Sequence, residues 1–275
     1  VQTLHYKAFR GCKNLDFNLS VDNPYLIYYE GLVYQKSNWS LSYVPMNKSG
    51  NWILNENLTR IENNQFEKCV NLESIVIPDN VTSIGSYSFY FCISLRNITI
   101  PESVQAIGQY SFYRCFSLEF ISLPKHLKII DSYLFSGCDS LQYINIPEFV
   151  KEIREKAFSA SGLKTLIIPR WVKKVDKSIV YKCINLTTIN YGSALESLDN
   201  ISIYYPGNIE NITIGSRITS IGSKYFQNYK KLAYVTFPNS LVSINSSAFA
   251  YCPLKSLEFP ENLQKIEKGA FSYCT

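Results

Sequence analysis

The sequence predicts an α/β solenoid built from repeats of about 23 residues, and three observations predict it. Cys69, Cys92, Cys115 and Cys138 stand at a constant spacing of 23 residues. A phenylalanine lies three positions before each, at Phe66, Phe89, Phe112 and Phe135. A short alternating segment follows each cysteine and ends in proline, at Pro78, Pro101, Pro124 and Pro147.

The unit reads F-x-x-C-x-x-L-x-x-I-x-I-P-x-x-V-x-x-I. Beyond Cys138 the cysteine slot falls at Ser161, Cys183, Pro206, Tyr229, Cys252 and Cys274, so the register outlasts the cysteine itself. The phenylalanine slot continues at Phe158, Phe226, Phe249 and Phe271, with Val180 and Ile203 in two degenerate units. In Leu95-Arg96-Asn97-Ile98-Thr99-Ile100-Pro101, apolar residues alternate with polar ones, which predicts a short strand with one buried face. Proline ends that strand because it has no N–H for the ladder. The spacing of Val104, Ile107 and Phe112 then suggests a short helical or 3₁₀ return. Stacked in register, such units give a curved parallel sheet on a concave side, with the returns on the convex side.

One domain covering 1–275 is expected, interrupted by a β-hairpin island at about residues 20–57, where 57 residues separate Cys12 from Cys69. Asp22-Asn23-Pro24 and Tyr29-Glu30-Gly31 supply its turn signals. A weak zone from Asn190 to Gly215 keeps the spacing but has Gly192 in a proline slot and Pro206 in a cysteine slot. The chain opens near Val1-x-x-Leu4 and closes at Cys274-Thr275, each part-way through a repeat. A larger parent chain is therefore expected, with any signal peptide, capping units or anchor beyond these ends.

With these residues in place, the unit resembles the BspA-like, Treponema pallidum-type class of leucine-rich repeat. Ile84-Gly85, Ile107-Gly108 and Ile221-Gly222 match that family's isoleucine-glycine step, and Asn23-Pro24-Tyr25 with Glu30-Gly31-Leu32-Val33-Tyr34 is similar to its irregular island. The resemblance covers nearly the whole chain. It implies a leucine-rich-repeat surface protein of a bacterium or protist, exposed at the cell surface or secreted, adhering to host or extracellular protein. A glycan ligand is a second option for such a surface. An intracellular scaffold is the alternative function.

Composition narrows the chemistry. A net charge of +5 is far below the basic footprint of a nucleic-acid binder, and no uninterrupted apolar run reaches the length of a membrane span. His5 and His126 are distant from each other and no C-x-x-C occurs, so no metal, cofactor or catalytic group is expected. The eight cysteines read as buried thiols rather than a disulfide framework, because Cys183 stands between Ser161 and Pro206 with no neighbour to pair with.

Ten Asn-x-Ser/Thr sequons, at Asn18, Asn38, Asn47, Asn57, Asn80, Asn97, Asn185, Asn200, Asn211 and Asn245, exceed what random ordering of this composition gives. They suggest N-glycosylation in a secretory pathway. Copying by repeat descent and the strand preference for threonine would also produce them. The candidate ligand-binding face comprises the outward strand positions Phe120, Ser122, Tyr143, Asn145, Thr165 and Ile167. Cross-strand stacking that merely stabilises the sheet is the competing explanation for those rings. Finally, the basic run from Arg170 to Lys177 suggests either an acidic-glycan or headgroup contact, or a solvated surface with Trp171 and Val175 turned inward.

Overall fold

The computed structural model describes residues 19–195 and 207–275, together with Gln2, Leu4, Ala8 and Leu198. His5, Cys12, Asn18, Asn200, Ile203 and Pro206 lie outside the described residues. The chain forms two compact units, Val1–Leu127 with Asp131–Leu141, and Lys128–Ile130 with Gln142–Thr275.

Unit 1 carries β1 (Leu26–Tyr29), β2 (Leu32–Gln35), β3 (Leu41–Tyr43), β4 (Gly50–Ile53), β5 (Leu72–Val76), β6 (Ser83–Ile84), β7 (Asn97–Thr99), β8 (Ala106–Ile107) and β9 (Phe120–Ser122). Strands β1, β2 and β3 form an antiparallel sheet. Glu30 and Gly31 join β1 to β2 with φ of 49° and 81°, the handedness that matches the twist of a tight hairpin. Leu26, Val33 and Tyr43 pack beneath this sheet against Leu4 and Leu19. Buried Tyr34 accepts a hydrogen bond from the Asn55 N–H at 3.2 Å, and burial pushes its phenol up to about 12. From Gly50 onward, inside the stretch expected as an insertion, the chain already belongs to the repeat: β4, β5, β7 and β9 form a parallel ladder.

Unit 2 continues with β10 (Ile129–Ile130), β11 (Glu152–Ile153), β12 (Thr165–Ile167), β13 (Lys174–Val175), β14 (Thr188–Asn190), β15 (Asn211–Thr213), β16 (Ser220–Ile221), β17 (Tyr234–Thr236), β18 (Ser243–Ile244) and β19 (Lys265–Ile266). Its longer strands pair in parallel as β12-β14-β15-β17. The two-residue strands form second ladders, β10-β11-β13 and β16-β18-β19, as β6-β8 do in unit 1.

The returns are not helical, which corrects the expectation drawn from their spacing: no helix occurs among the described residues. Left-handed residues placed four apart prevent one. Asn64 and Lys68 have φ of 60° and 62°, Tyr87 and Phe91 60° and 59°, and Tyr110 and Arg114 59° and 55°. A helix requires consecutive right-handed residues, and each left-handed L-residue costs about 1–2 kcal/mol. Hydrogen bonds between turns offset that cost. The N–H groups of Asn64, Phe66 and Lys68 donate to the carbonyls of Ser86, Ser88 and Tyr90 at 2.9, 2.8 and 2.7 Å, while those of Gln65, Glu67 and Cys69 close local turns on Glu62, Asn64 and Phe66. Alternate donors thus face the next turn, and the backbone is satisfied without a helix.

The core is a stack. Phe66, Phe89, Phe112 and Phe135 are fully buried in unit 1, with centroids 5.1, 5.2 and 5.7 Å apart and ring planes within 11° of parallel. Trp52 starts this column edge-on against Phe66 at 5.9 Å. In unit 2, Phe226, Phe249 and the half-buried Phe271 repeat it at 5.1 and 5.3 Å.

The seven described cysteines run beside these rings as buried, unbridged thiols, with Cys274 half-buried. Most are more than spacers. Cys92, Cys115 and Cys138 donate their S–H to the carbonyls of Phe66, Phe89 and Phe112 at 3.1, 3.2 and 3.1 Å, and Cys183 and Cys252 do the same to Phe158 and Phe226. Each of those phenylalanine carbonyls also accepts the N–H of the residue three positions on, in the cysteine slot, so both its lone pairs are used. Among the seven described cysteines of the unreduced protein, a thiol reagent should label Cys274 first and reach the buried thiols only after denaturation. An absence of free thiols in denatured, unreduced protein would contradict this arrangement.

Candidate binding face

The longer strands bury alternate residues and leave the others on an open face. In unit 1, Ile75, Ile98 and Ile121 point into the core. Their neighbours form two outward rows in strict pairing register: Asn51, Ser74, Asn97 and Phe120, then Ile53, Val76, Thr99 and Ser122. Phe120 is 56% exposed and Val76 58%, large fractions for apolar groups on a hydrogen-bonded sheet. Ser74 donates its hydroxyl to Asn51 Oδ1 at 2.6 Å, which orders the polar end of the row.

In unit 2 the rows are Thr165, Thr188, Asn211 and Tyr234, then Ile167, Asn190, Thr213 and Thr236. Ile167 is 57% exposed, Thr165 half-buried and Tyr234 exposed beneath the Lys255 ammonium, 5.6 Å from its ring centroid. Tyr143, 64% exposed, and the exposed Asn145 precede these strands on a segment with no strand assignment, held by the Lys164 N–H donating to the Gln142 carbonyl at 3.0 Å. A cleft of about 220 Å³ opens between Tyr234, Thr236, Ser256 and Glu258. Of the sequence-derived candidates, Phe120 and Ser122 therefore lie on the face of unit 1, and Tyr143, Asn145, Thr165 and Ile167 lie on unit 2.

Among the sequon asparagines, Asn38, Asn47, Asn57, Asn80, Asn97 and Asn185 are exposed or half-buried at the surface, and Asn211 and Asn245 are half-buried. The Asn80 amide is already engaged within the fold, donating to the Glu56 carbonyl at 2.9 Å.

A second aromatic surface escaped the sequence reading. On the returns of unit 1, Tyr87, Tyr110 and Tyr133 stack face to face at 4.8 and 4.5 Å, and Tyr90 stacks on Tyr113 at 5.2 Å. All five are half-buried. A tyrosine two residues before each of three consecutive core phenylalanines, Phe89, Phe112 and Phe135, was the available signal. The basic run also differs from expectation. Val172 and Val175 are the buried pair, whereas Trp171 is 46% exposed, because the three-residue step belongs to the valines.

Chemically, the open faces offer aliphatic and aromatic anchors among hydroxyl and amide groups on a backbone already fixed by its ladder. Among the described residues, no group of three or more His, Cys, Asp or Glu side chains comes together, and no helix is long and apolar enough to cross a membrane.

The chain is similar to a leucine rich cell surface protein of Faecalibacterium prausnitzii (22% identity, 92% of this chain and 87% of that one, TM-score 0.48). It is also similar to a leucine-rich repeat protein of Bacteroides ovatus (25% identity, 91% and 83%, TM-score 0.48) and to the Treponema pallidum leucine rich repeat protein (18% identity, 71% and 72%, TM-score 0.40). No curated protein matches the sequence. The model of the BspA type leucine rich repeat region matches in six copies, over residues 59–187 and 152–275. With that match covering more than half its length and its turns stacked as parallel ladders, the chain belongs to the BspA type leucine rich repeat family.

Proposed function

We propose that the chain is a non-enzymatic binding protein of the cell surface or extracellular space, and that it adheres to host or extracellular protein through the open faces of its longer-strand ladders. The observation that carries this reading is the exposed apolar side chains on the strand face of unit 1, Ile53 and Val76 in one row and Phe120 in the other, set among polar neighbours in the pairing register. Such mixed surfaces, with apolar anchors inside a polar surround, are what protein interfaces use. The backbone beneath is held by its own hydrogen bonds, so little ordering entropy is lost on binding.

Capture from a host extracellular-matrix extract tests it. Phe120→Ser with Tyr143→Ser, positions equivalent in consecutive repeats, should reduce capture of the bound protein by roughly tenfold or more, since interface anchors typically carry about 2 kcal/mol or above. Its far-UV circular dichroism should match the parent. Unchanged capture would remove these residues from the interface.

A further inference from the structure

In four turns a polar side chain two residues past the strand-ending proline ties its turn to the one before. Asn80 donates to the Glu56 carbonyl at 2.9 Å, Ser103 to Val81 at 2.7 Å, Ser240 to Ile218 at 2.7 Å and Asn262 to Asn239 at 2.8 Å. In unit 2 three successive occupants of this slot, Phe149, Trp171 and Ala194, make no such bond. Trp171 instead stands out from the turn while Val172 beside it is fully buried. Arg170 Cζ lies 4.9 Å and Lys151 Nζ 5.6 Å from the centroid of its ring.

The following turn has the small Ser193 and Ala194 where this one has Arg170 and Trp171, and Arg217 fills the slot one turn further on. The missing bulk leaves a cleft of about 560 Å³, floored by Ser193 and Ala194 and walled by Lys151, Arg170, Trp171, Lys173 and Arg217. This is within the ordinary range for a small-ligand site. Four of its described lining residues are basic and none is acidic. Among the described residues, Lys151, Arg170 and Lys173 have no carboxylate partner. Their cation–π contacts hold Arg170 and Lys151 in place without neutralising their charge.

We propose that this cleft binds an acidic oligosaccharide, a sulfated or uronate-containing chain, through ion pairs to Lys151, Arg170, Lys173 and Arg217 and packing of a pyranose C–H face against Trp171. The site uses none of the sheet-face residues and stands independently of the interface proposed above. The recess favours a narrow chain over a bilayer: its small-residue floor lies below walls that would hold a flat headgroup surface at the rim.

The test titrates the full chain with a heparin-derived hexasaccharide, with maltohexaose as the uncharged sugar and phosphatidylcholine–phosphatidylserine vesicles as the anionic membrane. Hexasaccharide affinity should fall roughly tenfold in Arg170→Gln/Lys173→Gln and in Trp171→Ala, weaken with added salt, and be unchanged in Lys230→Gln/Lys231→Gln. Maltohexaose should not bind. The glutamine pair alters only surface side chains, so it decides the question even if Trp171→Ala fails to fold. Absence of hexasaccharide binding, an equal loss from the Lys230/Lys231 pair, or tighter binding to vesicles than to hexasaccharide overturns the proposal.

Discussion

Between about pH 9 and 11 the protein is expected to lose several kcal/mol of stability. Six thiols, at Cys69, Cys92, Cys115, Cys138, Cys183 and Cys252, are buried. Burial pushes each above the ordinary 9.0, to about 12 at Cys69 and about 11 at Cys252. The fold accepts the neutral thiol and the unfolded chain ionises it. Stabilisation is therefore complete below about pH 9 and is lost as pH rises past the unfolded value toward the folded one. At about pH 10 each thiol held protonated by the fold costs on the order of 1 kcal/mol of stability, so the five with large shifts together cost several kcal/mol. That is a substantial part of the stability of an ordinary domain, about 5–15 kcal/mol. Four of the six lie in unit 1, where the loss should be greatest. Urea denaturation at about pH 7 and about pH 10 under reducing conditions measures the drop. Cys92→Ala/Cys115→Ala should start less stable at about pH 7 yet lose about 3 kcal/mol less between the two pH values. An identical drop in parent and variant would contradict the thiol account.

Phe112→Ala is expected to cost about 3–5 kcal/mol. Its ring is fully buried and stacked on both sides, at 5.2 Å from Phe89 and 5.7 Å from Phe135, so its removal opens a cavity in the middle of the column. The backbone offers no relief, because the Phe112 N–H is bound to Leu134 and its carbonyl accepts both the Cys115 N–H and the Cys138 thiol. Phe271→Ala should cost roughly half as much, since that ring is half-buried and Phe249 is its single stacked neighbour in the column. Equal costs at the two positions, measured by urea denaturation, would mean that the stack contributes little beyond local burial.

The period, the buried phenylalanines and the face of each strand are legible in the sequence, because stacked turns bring equivalent residues together and each slot must suit its copy in the next turn. The returns are not legible in this way. Val81 and Ile84 are three apart whether they sit on a helical turn or on a turn leading into β6, and the deciding feature is left-handed backbone at Tyr87 and Phe91, residue types that carry no such signal. The Trp171 cleft is hidden for a related reason. Asn190 to Gly215 reads only as a weakened repeat, yet Ser193-Ala194 is the gap that opens the cleft. In the same zone Gly192 and Gly215 take the proline slot because the backbones approach closely: a Cβ at Gly192 would lie 2.3 Å from the Pro169 carbonyl oxygen, and one at Gly215 2.4 Å from that of Gly192.

Two aromatic surfaces compete for a protein partner in unit 1, the open strand face around Val76 and Phe120 and the tyrosine columns of the returns. Photo-crosslinking with benzoylphenylalanine placed singly at positions 76, 120, 110 and 113, in the presence of the captured partner, separates them. Crosslinks from 76 and 120 without crosslinks from 110 and 113 are the predicted result. Crosslinks confined to 110 and 113 would contradict binding through the strand face.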